Sequence, residues 1–287
     1  MPVGFADGYA FCIKDFSDDP DVTRGCRIMA AVAFRPDGAG GPPVRFLQGA
    51  GVGRVTLPGL GIPVGQPAIN PVPRQMIADA LRQLTDAALD VTISVEHGQE
   101  LAARTFNHRV GVVDGISIIG TTGIVTPLSN DAFVASIGRE LQVARAIGCD
   151  SIGLASGKRG EEQLLAAEPS LRVVHYGNFV GESLRLAHQH GFGRVVLGIL
   201  IGKAVKLAEG HLDTHSHKVL MNKQFLIDLA HEADVPNAET IVGGITMARE
   251  LWQLMPPHFF QLLTARIYAH CRTAFPTGQL EIKLFPS

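Results

Sequence analysis

The stretch GISIIGTTGIVTPLS, residues Gly115–Ser129, joins three kinds of sequence pattern. The apolar run Ile116–Ile119 predicts a strand, and the glycines and threonines after it predict a tight loop. A long amphipathic segment then predicts a helix. This order is typical of a ligand site, because glycines let backbone amides approach a ligand and the following helix presents free N–H groups. The loop is neither a GxGxxG fingerprint nor a P-loop, since it has no lysine of that motif.

The composition of the chain limits the classes of protein to which it can belong. The chain has 287 residues, of which 46% are hydrophobic and 18% charged, enough to bury one large or two medium cores. A net charge of −2 argues against a nucleic-acid partner. The apolar runs are too short to span a bilayer, so no membrane partner is expected. The four cysteines form no CxxC pair, which favours reduced thiols and a cytoplasmic location over a disulfide framework or a zinc site.

The chain as a whole predicts the α/β class, with an α+β domain over residues 1–112. Extended segments separated by turns predict a mixed sheet, and Met76, Ile77, Ala80 and Leu81 recur at helical spacing within 71–85. The predicted strands of this domain are Tyr9–Lys14, Arg27–Phe34, Val44–Leu47 and Val91–Val95. A last strand over residues 279–287 is expected to return and complete this sheet.

Residues 113–278 show a regular alternation of strands and helices. The expected strands are 115–119, 150–155, 172–175 and 193–199, with helices between and after them. Such a rhythm predicts βαβ units, and hence a Rossmann-like domain with a parallel sheet that binds a cofactor.

Glycine-bearing loops follow all four of these predicted strands. They are Gly120–Val125, Ala155–Glu161, Tyr176–Gly181 and Gly198–Gly202. If all lie at one edge of a parallel sheet, they form an amide-lined crevice suited to a dinucleotide, an adenosyl cofactor or a phosphate ester. The alternative is that they are ordinary turns. A nicotinamide cofactor is disfavoured, because the strand expected to end in an acidic residue ends in Ala155 and Ser156.

The segment GHLDTHSHK, Gly210–Lys218, concentrates three histidines around Asp213 and Thr214. On a helix, His211 and His215 would share a face and form half of a metal site. The composition favours a polar loop facing substrate instead, with one histidine as a general acid or base. A solvated turn is the other alternative, and no protein-bound metal is expected.

Several polar residues near the glycine loops are candidates for binding an anionic substrate. Arg54, Arg74 and Lys203 carry the positive charge that such a substrate requires, although ordinary surface charge would also account for them. Asn70 precedes Pro71 and cannot continue a helix, so it is either a helix cap or a substrate ligand.

Several long motifs along the chain resemble those of a known protein family. They are DDPDVT (18–23), GVGRVTLPGL (51–60), GQPAINPVPRQMI (65–77), TFNHRVGVVDGISIIGTTGIVTPLS (105–129), GNFVG (177–181) and IGKAVKLAEGHLDTHS (201–216). With this spacing the sequence resembles the cobalt-precorrin-5B C(1)-methyltransferase (CbiD) family of anaerobic cobalamin biosynthesis. The resemblance implies methyl transfer from S-adenosylmethionine to ring carbon 1 of a cobalt tetrapyrrole, giving cobalt-precorrin-6A, with cobalt carried by the substrate alone.

Under this interpretation each candidate residue receives a role. The residues expected to hold the cofactor are Gly120, Thr121, Thr122, Gly123, Ile124, Ser156, Gly157, Asn178 and Phe179. Those expected to bind the anionic tetrapyrrole are Asn70, Arg74, Arg54, Lys203 and Thr214. His215, or else His211, is the candidate for proton transfer.

Two other functions are compatible with the same loops. One is a non-catalytic tetrapyrrole-binding protein of the pathway, and the other is a nicotinamide-dependent oxidoreductase. The sequence leaves open whether identical copies assemble into a homo-oligomer.

Overall fold

The computed structural model describes residues 2–14, 22–36, 40–119, 130–215 and 221–286. The chain divides into two compact units, Met1–Ala132 and Phe133–Ser287. The division therefore falls later than residue 112, where the change in sequence pattern predicts it.

The first unit is built on a mixed sheet. Its elements are β1 (Val3–Ala6), β2 (Tyr9–Ile13), β3 (Arg27–Phe34), β4 (Val44–Gln48), β5 (Arg54–Val55), α1 (Pro71–Arg82), β6 (Leu89–Val95), α2 (Gly98–Ala102) and β7 (Val112–Val113), with a 3₁₀ helix at Asn107–Val110 before β7. Five strands pair in the order β1-β2-β3-β6-β4, and all pairs are antiparallel except β4 with β6.

Alternation along β6 explains how this sheet builds a core. Leu89, Val91, Ile93 and Val95 are buried, because successive side chains of a strand point to opposite faces and these four share one face. Asp90 and Thr92, which alternate with these residues, are only half buried. One face of the sheet thus packs into the core of the first unit.

The segment 115–119 does not join the parallel sheet, so that prediction is wrong. Ile116 and Ile118 instead form single bridges with Val52 and Ile69 inside the first unit. A Cβ at Gly115 would lie 2.4 Å from the carbonyl oxygen of Gly51, so the two backbones pack directly against each other. The apolar residues pair with a neighbouring loop segment, which the sequence pattern alone cannot distinguish from a sheet strand.

The second unit alternates strands and helices. Its elements are α3 (Asn130–Ala146), β8 (Ser151–Ala155), α4 (Lys158–Ala167), β9 (Val173–His175), α5 (Val180–Gln189), β10 (Arg194–Leu200), α6 (Ile201–Ala208), α7 (Lys223–Glu232), α8 (Ala238–Gly244), α9 (Leu251–Leu254), α10 (Pro257–Arg272) and β11 (Gln279–Phe285), where α3 begins just ahead of the division between the units. None of the helices in the described ranges has the length and apolarity needed to cross a membrane.

The sheet of the second unit is parallel throughout, in the order β11-β10-β8-β9. Helices cover both faces of this sheet. On one face, Val196 of β10 packs against Leu164 of α4. On the other, Leu197 packs into the large core that the other helices form. Residues Val195–Ile199 are consequently all buried, as expected of a parallel strand covered on both sides. This arrangement confirms the α/β class.

The C-terminal strand β11 pairs with β10 over its whole length, from Arg194↔Gln279 to Leu200↔Phe285. The expectation that this strand completes the mixed sheet of the first unit is therefore wrong. Helix α10 supplies the long crossover that a parallel pair requires, and its own apolar face packs into the same core.

An ion-pair network fixes the start of this pairing. The guanidinium of Arg194 binds both oxygens of Glu168, at 2.7 and 2.9 Å, and Glu281 of β11 at 2.8 Å. Hydrogen bonds from Arg194 hold the pKa of both carboxyls below their ordinary range. A depressed carboxyl pKa contributes stability above the ordinary value and loses it as pH falls through the folded-state value.

We therefore expect Arg194→Met to lower stability at pH 7 and to flatten the loss of stability between about pH 5 and pH 3. Urea unfolding across this pH range measures the difference. Arg159→Met, at an exposed position of α4, serves as the control and is expected to follow the unaltered chain. An unchanged acid profile in Arg194→Met would contradict the role of the network.

Candidate functional site

The carboxyl edge of the parallel sheet in the second unit gathers most of the candidate residues in that unit. The chain passes from β8 to β9 on one side and returns to β10 on the other side of β8. Ligands of open α/β sheets bind at such a switch point, outside the carboxyl ends of the strands. Here Ser156 and Gly157 follow β8, Tyr176–Phe179 follow β9, and α6 begins directly after β10.

The loop after β9 is anchored by Tyr176. Its side chain is fully buried, and its hydroxyl donates to the carbonyl oxygen of Gly198 at 3.2 Å. Burial raises the pKa of this hydroxyl, partly offset by a hydrogen bond with Ser156. The next residue, Gly177, has φ +59°, and a Cβ there would come within 2.9 Å of the Phe133 ring. Glycine is thus required for the loop to turn at this point.

Lys203 connects this loop to the helix after β10. Its Nζ donates to the carbonyl oxygen of Gly177 and, at 2.9 Å, to Oδ1 of Asn178. The same Nζ lies 5.5 Å from the centre of the Tyr176 ring. Burial lowers the pKa of Lys203 to about 8, with further lowering by Lys206 and an opposing effect from the Asp213 carboxylate. The side chain therefore ties α6 to the loop after β9, and it is also a cation at the edge.

In the described part of the histidine-rich segment, residues 212–215 form an extended strip against the loop after β9. Asp213 bridges with Phe179, and the Thr214 amide donates to the Asn178 carbonyl at 3.0 Å. Lys206 Nζ donates to the Thr214 carbonyl at 3.3 Å, and Thr214 is buried. Thr214, Asn178, Phe179 and Lys203 are thereby brought together as the sequence suggested.

The two candidate histidines occupy different surroundings. His211 is exposed, and its Nε2 lies 3.9 Å from Glu209. His215 is half buried, and its amide donates to Asp213 Oδ1 at 3.2 Å. Residues 211–215 are not helical, so the two rings do not share a helix face. His215 directly follows Thr214 in the packed strip, which makes it the better placed of the two.

Among the described residues, no group of three or more histidine, cysteine or carboxylate side chains is arranged to hold a metal ion. The pair His175 and Glu161, 2.8 Å apart beside the end of β9, is the closest contact of this kind at the edge.

The predicted cofactor residues fall into two groups. Gly120, Thr121, Thr122, Gly123 and Ile124 lie outside the described residues, so their role stays a prediction. Ser156, Gly157, Asn178 and Phe179 all lie at the carboxyl edge. Gly157 has an extended backbone, and a Cβ there would meet no atom of the described residues within 4 Å. Space for a ligand is therefore open beside it.

The fourth predicted glycine loop does not exist. Gly198 lies within β10 and Gly202 within α6, which follow each other without a break. A Cβ at Gly198 would lie 2.8 Å from Leu164 and 3.0 Å from Phe285. This glycine serves the close packing of the strand against neighbouring side chains, and the loop prediction is wrong.

The other predicted substrate residues belong to the first unit. Arg74 uses its guanidinium on the carbonyls of Ile69 (2.8 Å) and Pro67 (3.0 Å), and desolvation lowers its pKa. Asn70 precedes α1 at the cap position, but its side chain makes no capping hydrogen bond. Arg54 is exposed and pairs with Asp114 at 3.3 Å. Arg74 therefore stabilises the turn before α1, and the side-chain amide of Asn70 is not used by the helix.

Sequence reasoning did not assign roles to Tyr176 or Asp213. It did identify Lys206, like Lys203, as a basic residue near a glycine loop, and the spacing of the two places them on one helix face. The buried hydroxyl of Tyr176 and the bridge of Asp213 depend on contacts between distant segments, which leave no local signal.

The fold defines an α/β protein whose candidate residues in the second unit lie at the switch point of a parallel sheet. The CbiD family model matches residues 4–127. A cobalt-precorrin-5B C(1)-methyltransferase of Prosthecochloris aestuarii is 41% identical over 294 residues, covering 97% of this chain and 79% of that protein. One of Thermus thermophilus is 42% identical over 246 residues, covering 84% of this chain and 66% of that protein.

A crystal structure of the cobalamin biosynthesis protein cbiD from Archaeoglobus fulgidus is 25% identical, covers 75% of this chain and 68% of that one, and has a TM-score of 0.35. On the sequence matches, the chain belongs to the cobalt-precorrin-5B C(1)-methyltransferase family, also called CbiD.

The half-buried ammonium of Lys203 predicts a pH dependence. Its pKa in the folded chain, about 8, lies below the ordinary value for lysine, so the unfolded chain binds more protons between these two values. This group therefore makes stability rise with pH from about 8 to about 10.4.

We expect the advantage of the unaltered chain over Lys203→Met, in free energy of unfolding, to grow across that window. Urea unfolding at several pH values checks this. Lys158→Met is the control, since the Lys158 side chain is 86% exposed. A difference between the unaltered chain and Lys203→Met that does not change with pH would contradict the effect of burial.

Proposed function

We propose that this chain transfers a methyl group from S-adenosylmethionine to ring carbon 1 of cobalt-precorrin-5B, giving cobalt-precorrin-6A in anaerobic cobalamin biosynthesis. The observation that carries the proposal is the 41% identity to a methyltransferase of that name across 97% of this chain. In support, the candidate residues of the second unit lie at the carboxyl edge of a parallel sheet, beside its switch point, where α/β sheets bind nucleotide-like ligands.

The residues at the carboxyl edge suit an adenosyl cofactor. Open space lies beside Gly157, and the Asn178 side chain presents its NH₂ group, which makes no hydrogen bond among the described residues. Phe179 packs against Phe133 with ring centres 5.7 Å apart, which adds an apolar surface. We assign Ser156, Gly157, Asn178 and Phe179 to the cofactor, with Gly120–Ile124 as further predicted contacts.

The reaction requires the protein mainly to place the cofactor and the substrate correctly relative to each other. When bound, the cofactor supplies an activated methyl group on a sulfonium, which an electron-rich ring carbon can accept by in-line displacement. The residues of this chain then have to orient the two reactants and exclude water, and such orientation contributes up to about 7–11 kcal/mol in favourable cases. A rigid edge serves this purpose, since Lys203, Tyr176 and Thr214 tie its loops together.

Positive charge at the edge suits the polycarboxylate substrate. Lys203 and Lys206 stand on one face of α6, and with a pKa of about 8 Lys203 is mostly protonated at neutral pH. We assign Lys203 and Thr214 to the substrate, and His215 to the proton that the macrocycle loses or gains as it rearranges. Arg54, Asn70 and Arg74 of the first unit are further proposed contacts.

A nicotinamide cofactor is less well supported. In the second unit the second strand, β9, ends at His175 rather than at an acidic residue, and the carboxylate beside that end, Glu161, contacts the His175 ring at 2.8 Å. We propose a cytoplasmic location, where free thiols such as the four cysteines stay reduced.

The open space beside Gly157 gives a direct test of the cofactor site. The extended backbone accepts any residue, so Gly157→Leu is expected to keep its unfolding midpoint and to lose at least about tenfold in affinity for S-adenosylhomocysteine by calorimetry, because the side chain fills the space. Gly243→Leu in α8, where a Cβ also meets nothing within 4 Å, is the matched control. Unchanged affinity in Gly157→Leu would move the cofactor away from this edge.

The proposed role of His215 predicts that its substitution lowers the rate of methyl transfer and leaves cofactor affinity largely unchanged. We expect His215→Ala to lower the rate of methyl transfer about 100-fold or more, as is typical for loss of a general acid or base, while affinity for S-adenosylhomocysteine stays within about twofold. His258→Ala, at an exposed position in α10, controls for loss of any histidine. Full turnover by His215→Ala would remove this residue from the mechanism. Binding of the corrinoid without turnover by the unaltered chain would favour the non-catalytic alternative.

A further inference from the structure

Strand β11 lies at the outer end of the parallel sheet of the second unit, and among the described residues no strand pairs with its outer side. It runs for 7 residues, whereas β9, at the opposite end of the sheet, has 3. A long edge strand offers a row of backbone donors and acceptors to another strand, and natural proteins usually shorten or cover such edges. The outer side of β11 is therefore a candidate interaction surface.

The direction of the backbone groups along β11 follows from its pairing with β10. The Gln279 amide donates to the Gly193 carbonyl at 2.8 Å, on the β10 side of the strand. Because the backbone groups of successive strand residues point to opposite sides, the amides and carbonyls of Leu280, Ile282 and Leu284 point away from β10. In the described part of the chain none of these three residues has a backbone hydrogen bond outside the sheet.

The sequence of β11, QLEIKLF, is complementary to itself in the antiparallel direction. With Ile282 on a twofold axis, Leu280 lies opposite Leu284 of a second copy, and Glu281 lies opposite Lys283 of that copy. The twofold axis repeats each of these contacts. Opposite charges and apolar side chains directly across an antiparallel pair stabilise it, whereas like charges destabilise it.

The hydrogen-bonding pattern agrees with the same register. Residues opposite each other in an antiparallel pair alternate between those that exchange two backbone hydrogen bonds and those that exchange none. In this register the outward-pointing residues Leu280, Ile282 and Leu284 are the ones that exchange bonds. Moving the second copy by two residues in either direction would place Glu281 opposite Glu281, or Lys283 opposite Lys283. The charges therefore select the register centred on Ile282.

Both charged groups are available for this pairing. The Glu281 carboxylate accepts hydrogen bonds from Arg194 and Gln279, both at 2.8 Å and both at Oε1, which leaves Oε2 for the second copy. Lys283 forms no ion pair or side-chain hydrogen bond within the described ranges of the chain.

An apolar groove of about 1030 Å³ lies beside the same edge. Ile282 and Leu284 line it from β11, and Phe260 and Tyr268 line it from one face of α10. All of its lining residues belong to the unbroken described range 221–286. Such an open apolar surface favours contact with another molecule.

A second copy paired through β11 covers this groove as well. Neighbouring antiparallel strands of one sheet are related by a twofold axis perpendicular to the sheet, so the α10 helices of both copies lie on the same face of the joined sheet. Each α10 then approaches the other copy from the side of Tyr268, which is 42% exposed. Thr264 lies in the middle of that side, and its hydroxyl already donates to the Phe260 carbonyl at 2.7 Å, so covering it leaves no unpaired donor.

We propose that two copies of this chain form a twofold-symmetric dimer by antiparallel pairing of their β11 strands, which joins two 4-stranded sheets into one. The second copy satisfies the outward backbone groups of β11, pairs Glu281 with Lys283 across the axis and covers the apolar groove. The inference does not depend on the proposed function, because it uses only residues of β11 and α10.

Charge reversal across the axis gives the sharpest test. The unaltered chain is expected to sediment with twice the mass of one chain. Lys283→Glu places carboxylates opposite each other, and Glu281→Lys places ammonium groups opposite each other, so each variant is expected to raise the dimer dissociation constant at least about tenfold by sedimentation equilibrium. An equimolar mixture of the two variants restores opposite charges at both contacts and is expected to recover a heterodimer.

Hydrogen exchange measures the strand pairing directly. The amides of Leu280, Ile282 and Leu284 are expected to exchange more slowly at concentrations where the dimer forms. The amides of Glu281 and Lys283 already face β10, so their exchange is expected not to depend on concentration.

Matched controls accompany these variants. Lys158→Glu makes the same charge change at a side chain that is 86% exposed, and it is expected to leave the dissociation constant unchanged. Tyr268→Glu places a charge in the groove and is expected to weaken the dimer, whereas Leu84→Glu, at an 82% exposed position of the first unit, is not. Unfolding midpoints show that each variant is folded. Lys283→Glu and Tyr268→Glu carry the test if Glu281→Lys, which loses its contact with Arg194, does not fold.

The outcomes decide between a second copy and other occupants of this edge. The mass of a single chain at every concentration would overturn the proposal, and an apolar dye bound by that monomer but not by Tyr268→Glu would assign the groove to a small apolar ligand. A dimer unchanged by Lys283→Glu and Tyr268→Glu would place the contact elsewhere. Two folded charge variants whose mixture stays monomeric would overturn the register.

Discussion

The organisation of the sheet edge depends on the half-buried ammonium of Lys203. Parallel strands end at one edge, but their loops are independent in sequence and nothing in the strand pairing aligns them. Lys203 spans that gap from α6 to the carbonyl of Gly177 and the side chain of Asn178. Removing an ammonium from water is costly, and the lowering of its pKa to about 8 reports that cost. The two acceptor oxygens and the nearby Tyr176 ring offset this desolvation cost. The loop after β9 is therefore held in one arrangement against α6.

The extended strip Leu212–His215 adds a second layer of constraint to the same loop. The Thr214 amide donates to Asn178, and the Leu212 carbonyl accepts from Gly181, so the loop after β9 gains a strand-like partner although no sheet is formed. A Cβ at Gly181 would lie 2.9 Å from the Leu212 side chain, which explains why a glycine stands where the strip approaches most closely. The glycines of this loop therefore serve packing first, and the open space lies beside Gly157 instead.

The sequence pattern correctly predicted those strands and helices that are determined by residues close together in the chain. The strand Arg27–Phe34 and the helix beginning at Pro71 appear where alternation and helical spacing place them. The errors arose where a pattern is compatible with two partners. Apolar residues 115–119 pair with a loop segment of the first unit, and β11 pairs with β10. Gly198 signalled close packing instead of a turn, because a glycine looks the same in the sequence whether it frees the backbone or admits a neighbour. Which segment a strand pairs with is determined by the tertiary structure, and the residue pattern of a single sequence does not show it.

A methyltransferase for a large anionic substrate must place a small cofactor accurately beside that substrate. The second unit offers a polar edge with an open position and tightly coupled loops, which suits a small cofactor whose reactive atom has to be placed accurately. Binding energy gained at substituents of the substrate that take no part in bond formation can be used to orient the reacting ring.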